Sequence, residues 1–212
     1  MNKTVELVCS WAEYENLHPG GDLEDFYRYR LASNQERNIG DKVVGGIVPK
    51  SIDPLLIKLL GRLYKLLEIY LESAVIDAGL NQIEEFFLLS SINFGNPRKT
   101  EVIYNSLIEL STGTNILNKL RAEDYLEEYD DLEDKRAKRV KLTAKGEKSM
   151  VDCRKKMSRI AKLFFEDMSE DDKYLCVQLL KNVEIRFSGL WQKHKGKSFD
   201  FIYEDLLKES RK

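Results

Sequence analysis

Thirteen residues, Asp134-Lys135-Arg136-Ala137-Lys138-Arg139-Val140-Lys141-Leu142-Thr143-Ala144-Lys145-Gly146, change character three times. A charged turn at Asp134 to Arg136 gives way to a strand-like alternation, with Val140 and Leu142 on one face and Arg139 and Lys141 on the other. A helix start follows, where the Thr143 hydroxyl is placed to cap the first turn. A basic tip carried on a strand and pinned by a helix behind it is a wing, and a wing needs a helical partner.

The residues upstream supply one. Helical periodicity is expected over about Lys99 to Ser106, with Val102 and Ile103 inward, and over about Ser111 to Arg121, with Ile116, Leu117 and Leu120 inward. The gap Leu107 to Leu110 has the length of a helix-turn-helix turn. The second helix carries Ser111, Thr112, Gly113, Thr114, Asn115, Asn118 and Lys119, so its outward face is polar and mixed in donors and acceptors. That suits base edges and phosphates, although an ordinary capped surface helix reads the same way. Tyr125 to Tyr129 reads as a strand, and Arg139 to Leu142 as its partner. Helix, turn, helix, hairpin is the order of a winged helix, and Lys138 on the wing strand is a further expected DNA contact.

Long amphipathic helices flank this unit. Asp53-Pro54 opens one in which Leu56, Leu59, Leu60, Leu63, Leu66, Leu67, Tyr70, Leu71, Ala74, Val75 and Ala78 recur at helical spacing until Gly79. Another runs from Asn81 to Phe94. Two more are expected over about Ala144 to Met168 and Glu170 to Trp191. A winged-helix core is too small to cover these apolar stripes, so the helices call for a second copy of the chain, which would space two recognition helices about 10 base pairs apart. The expected fold class is therefore mainly α: a winged helix-turn-helix with long N- and C-terminal dimerisation helices and a small β-hairpin wing. Residues 1–50 read as an irregular N-terminal extension with one short helix from Asp22 to about Gln35. Residues 51–192 read as the winged-helix domain, with a DNA-binding lobe at about 81–143, and 193–212 as a C-terminal extension ending in the amphipathic stretch Phe199 to Leu207.

Composition narrows the function. The 34 basic and 36 acidic residues of the 212 nearly cancel, for a net charge of −2, so any nucleic-acid face is local. The charges from Glu123 to Asp134 are all acidic, and those beyond are mostly basic; the run at Glu127, Glu128, Asp130 and Asp131 would repel phosphates if it pointed at them. No apolar run reaches about 18 residues and the first residues lack the apolar core of a signal peptide, so the expectation is a cytoplasmic protein without a membrane partner. Cys9, Cys153 and Cys176 form no paired metal-ligand pattern, which argues against a zinc site or disulfide framework, and His18 and His194 are expected at the surface. With no Gly-rich phosphate loop and no nucleophile beside a base, the chain is not expected to be an enzyme or to need a cofactor or metal.

The order of helices, together with Asp134-x-Arg136 followed by Val140-x-Leu142-Thr143-x-x-Gly146, resembles the MarR family of bacterial winged-helix transcriptional regulators over about Leu55 to Leu190. The resemblance implies a homodimeric regulator of double-stranded DNA, with a repressor responsive to a small-molecule effector as the leading expectation. The helix from Ser111 would enter the major groove, with Ser111, Thr112, Thr114, Asn115 and Asn118 as base or phosphate contacts and Lys119 on a phosphate. Arg136 at the wing tip would reach the minor groove, and Asp134 would help hold that arginine and its loop. Where the family has glycine just after the recognition helix this chain has Asp124, a residue that tolerates the left-handed conformation better than most. The acidic hairpin and the extensions keep a second expectation open, a winged-helix protein-interaction module that does not bind DNA.

Overall fold

The computed structural model describes residues 2–34, 45–47, 49–92 and 95–210. Among them the chain orders as α1 (Lys3–Leu17), α2 (Leu23–Asn34), α3 (Ile52–Asp77), α4 (Ile83–Ile92), α5 (Lys99–Asn105), α6 (Leu110–Ala122), β1 (Leu126–Asp130), β2 (Lys138–Leu142), α7 (Ala144–Phe164), α8 (Glu170–His194) and α9 (Phe199–Glu209). It divides into two compact units, Met1–Tyr64 and Lys65–Lys212.

The first unit corrects the expectation of an irregular extension. Residues 3–17 form a full helix that apolar periodicity missed, because α1 and α2 bury little of their surface. Their shared core is aromatic: Tyr14 and Phe26 are buried, with rings 5.4 Å apart, and Trp11 stands edge-on to Phe26 at 5.1 Å. The Asn2 and Asp22 side chains accept the first free amides of the two helices, from Thr4 and Asp25. The expected end of the second helix at Gln35 lies outside the described residues, as does Phe94.

In the second unit the helix-turn-helix, the hairpin and α7 share one core. Leu88 and Leu89 of α4, Val102 and Ile103 of α5, Leu117 and Leu120 of α6, Leu126 and Val140 of the hairpin, and Met150 and Cys153 of α7 are all buried together. Two glycines permit close approaches. A Cβ on Gly113 of α6 would lie 2.6 Å from Ile103 Cγ2, so α5 and α6 cross where only glycine fits; a Cβ on Gly146 would lie 2.0 Å from the Tyr125 carbonyl oxygen, which explains a glycine three residues into α7. Thr143 caps α7 as expected, accepting from Gly146 N at 3.1 Å and donating to Asp124 O at 2.6 Å.

Asp124, between α6 and β1, has φ +64°. The turn needs the left-handed conformation that glycine would supply at no cost. The strands pair antiparallel in the register Leu126↔Leu142, Glu128↔Val140 and Asp130↔Lys138. α7 stops at Phe164, four residues before the expected Met168, and α8 continues to His194, beyond Trp191. α8 has no buried residue, and Val177, Leu179, Leu180, Val183 and Phe187 lie exposed along it.

Candidate nucleic-acid interface

α6 turns Ile116, Leu117 and Leu120 into the core, and helical geometry then sends Ser111, Thr112, Asn115, Asn118 and Lys119 outward. Thr114 is half-buried because it faces the wing. Between α5, α6 and the wing lies a cleft of about 390 Å³ lined by Arg98, Lys99, Thr100, Thr114, Arg136 and Lys138, among others. It brings together Thr114, Arg136 and Lys138, residues as much as 24 positions apart in sequence (138 − 114). Ser111, Thr112 and Asn115 sit on the adjoining solvent face of α6.

The wing is built on Asp131. This carboxylate is buried, with its side chain 0% exposed. Its Oδ1 accepts from the backbone amides of Glu133 at 2.9 Å and Asp134 at 3.2 Å, and its Oδ2 accepts from Arg98 Nε at 3.0 Å and Arg139 Nε at 2.8 Å. The amide of Glu133 above all, then the Arg98 guanidinium, the Asp134 amide and the Arg139 guanidinium hold its carboxyl far below the usual range against the opposing effect of burial. Arg139 continues to the Asn96 carbonyl at 3.0 Å, and Val140 N donates to Pro97 O at 3.1 Å. The loop before α5 is thereby stitched to β2 through a single antiparallel bridge, Arg98 opposite Arg139.

Asp134, expected to help hold the wing arginine and its loop, accepts from the backbone amide of Arg136 at 3.0 Å. It shapes the turn, while the Arg136 guanidinium is exposed and makes no ion pair among the described residues. In the sequence Asp131 is one member of an acidic run, and nothing there separates it from Asp130, since its two arginine partners lie 8 and 33 residues away.

The acidic strand does not face the cleft uncompensated. Glu127 pairs with Lys141 at 2.8 Å, Asp130 with Lys138, and Glu128 with Lys99 at 2.5 Å and Arg121 at 2.7 Å. Burial would raise the Glu128 carboxyl, but Lys99 and Arg121 together lower it. Lys138 thus reaches the cleft with its charge shared. Lys99 also donates to Asn118 Oδ1 at 2.7 Å, which leaves the Asn118 amide nitrogen as its outward group. Lys119 sits on the Glu85 carboxylate at 3.1 Å; Glu85 is fully buried and also accepts from Asn81 N at 2.7 Å. The resemblance implies a phosphate contact for Lys119; in the structure its ammonium ties α6 to the start of α4.

Residues 84–146 match the family model described as a winged helix DNA-binding domain. Solved structures extend the likeness beyond that segment. A MarR protein from Peptoclostridium difficile superposes with a TM-score of 0.63 at 18% identity, covering 72% of this chain and 100% of that one. The chain has a MarR-type winged-helix fold. MarR itself from E. coli, in its apo form, gives a TM-score of 0.54 at 21% identity over 65% of this chain and 98% of that one. BpsR from Bordetella bronchiseptica, whose DNA binding is regulated by 6-hydroxynicotinic acid, gives 0.55 at 21% identity over 61% and 98%. No curated protein matches the sequence. In the MarR-type frame α5 and α6 are the helix-turn-helix, β1 and β2 the wing, and α3, α7 and α8 the long helices that flank them. Among the described residues no helix is long and apolar enough to cross a membrane.

Proposed function

We propose that the protein is a homodimeric, sequence-specific regulator of transcription that binds double-stranded DNA, acting as a repressor that responds to a small-molecule effector. The observation that carries the reading is the cleft in which Thr114 of α6 and Arg136 and Lys138 of the wing meet, beside the polar outer face of α6. A helix with short donors and acceptors fits a major groove, and an unpaired arginine at a wing tip fits the narrow, negative minor groove next to it. Ser111, Thr112, Asn115 and Asn118 would contact bases or phosphates, and Arg136 the minor groove. Asp131 carries the wing-holding role, with Asp134 shaping the tip.

Dimerisation is supported by the apolar surface of α3 and α8. Leu66, Ile69 and Tyr70 on the one, and Val177, Leu180 and Phe187 on the other, are exposed in the single chain, and such faces at helical spacing are covered in stable proteins. The effector part is supported by the fold shared with BpsR.

Selection of bound duplexes from a random pool near physiological salt tests the reading. The expected outcome is a palindrome with half-sites about 10 base pairs apart, bound by a particle of twice the chain mass. A second reading, a protein-interaction module without DNA binding, is favoured by one observation: Lys119, Arg121, Lys138 and Lys141 all share their charge with carboxylates. Recovery of no sequence, together with a stable protein partner in a pull-down, would favour it.

A further inference from the structure

The DNA reading makes no use of the C-terminal extension, yet the extension folds back onto the helix-turn-helix. α8 ends at His194, Gly196 takes φ +69° in the turn that follows, and Ser198 caps α9 by accepting from Phe201 N at 3.3 Å. Asp205 of α9 then closes the turn from the other side. It accepts from Lys193 Nζ at 2.7 Å and pairs with His194 Nε2 at 2.9 Å. Lys193 above all, and then His194, hold its carboxyl below the usual range. The residue left at the head of this braced turn is Lys195.

Three elements meet at the Lys195 ammonium. It lies 2.9 Å from Glu109 Oε2, 5.8 Å from the centroid of the Tyr104 ring of α5 and 5.3 Å from that of the Trp191 ring of α8. Glu109 is the N-cap residue of α6 and makes no side-chain capping hydrogen bond, so its carboxylate serves Lys195 and not its own helix. The turn before it carries a second sign of an outside hold. Leu107 has φ +55°, a conformation that a bulky side chain keeps only where its surroundings impose it. A strained turn that leads into an uncapped helix start would fray if left to itself. An exposed ion pair by itself contributes little, but the Lys195 side chain is 27% exposed, and the two rings restrict its motion before it pairs.

We propose that Lys195 is a positioning residue for DNA recognition, which acts through Glu109 to fix the strained turn and the first turn of α6 against the end of α8. Ser111 and Thr112, the first outward side chains of α6, follow directly after this hold. The inference gives the C-terminal extension a task in reading DNA without touching it, and it rests on the regulator reading above.

Titration of the full-length protein with the selected duplex and with a scrambled one tests the role, using Lys195→Ala, Lys195→Arg and Glu109→Gln. All three changes are at the surface. The quantity read is the ratio of the two affinities. It is expected to fall by about fivefold in Lys195→Ala and in Glu109→Gln, the size that a partly exposed ion pair in each of two protomers can reach, and to be kept in Lys195→Arg. Glu109→Gln is the decisive variant, because plain electrostatics predicts the opposite for it: removing an acid beside the phosphates would tighten both duplexes alike. An unchanged ratio in Lys195→Ala and Glu109→Gln overturns the proposal. So does Lys195→Ala weakening both duplexes equally, which would make the lysine a phosphate contact. Hydrogen exchange reads the hold without DNA, and the amides of residues 107–113 should exchange about fivefold faster in Lys195→Ala than in the wild type. Equal protection there overturns the hold, whereas faster exchange in a protein that prefers no duplex upholds it and rejects the regulator reading instead.

Discussion

Arg98, in the loop before α5, and Asp131, in the wing, meet through a 3.0 Å hydrogen bond across 33 residues of sequence. Because Arg139 reaches the same Oδ2 from the other side, one buried carboxylate sets where the wing stands relative to α6. Breaking a buried pair by removing one partner leaves the remaining groups without compensation. Asp131→Asn is expected to loosen the wing and weaken operator binding by about tenfold or more, with hydrogen exchange speeding up over residues 130–139. Wild-type protection of that segment in the variant would show that the clamp is dispensable.

The same carboxylate predicts an acid response. Its folded pKa lies below its unfolded value, so it contributes stability above about pH 4 that is lost as pH falls from there toward the folded value. The wild type should therefore lose stability more steeply than Asp131→Asn on going from pH 5 to pH 3, and the two should run parallel above pH 5. Urea melts across that range measure the difference.

The Arg136 guanidinium has no ion-pair partner to lose among the described residues. Arg136→Ala should leave the thermal midpoint unchanged and cost about 1–3 kcal/mol of operator binding, read by titrating the selected duplex. A fall in the midpoint of several degrees would mean that the side chain supports the fold.

Lys119 is expected to behave in the opposite way. Its ammonium is the only cation recorded on the buried Glu85 carboxylate among the described residues, so Lys119→Ala should destabilise the protein by about 1–2 kcal/mol, toward the low end for an uncompensated buried group because the lysine is itself half-exposed. Denaturant unfolding compares it with Lys135→Ala at the wing tip, which should be neutral for stability. A stable Lys119→Ala protein with weakened binding to all duplexes would return Lys119 to a phosphate.

Burial pushes the Cys153 thiol up to about 11, and it is fully enclosed in the core. At neutral pH iodoacetamide should label the exposed Cys9 and Cys176 and spare Cys153 until the protein is unfolded. Mass analysis of the labelled peptides gives the answer directly, and fast native labelling of Cys153 would show that the α7 core opens.

How much of this was legible beforehand depends on the range of the interactions. The sequence by itself determined the helix-turn-helix, the hairpin and the α7 cap, because each rests on apolar spacing or on a hydrogen bond within a few residues, as with Thr143 and Gly146. It marked Arg136 as the residue at the wing tip for the same reason. The left-handed turn at Asp124 is marked by the family resemblance, which places glycine there, and not by spacing. Tertiary structure alone decided which charges are free and which are spent. Lys119, Lys138 and Asn118 look alike as outward polar groups on paper, yet Glu85, Asp130 and Lys99 occupy them in space. Asp131 stands in a run of acids in the sequence, yet it is the group on which the wing is hung. The physical reason is that a charge is defined by its partners, and in this protein the partners that matter come from other elements, brought within 3 Å or so only once the shared apolar core has closed.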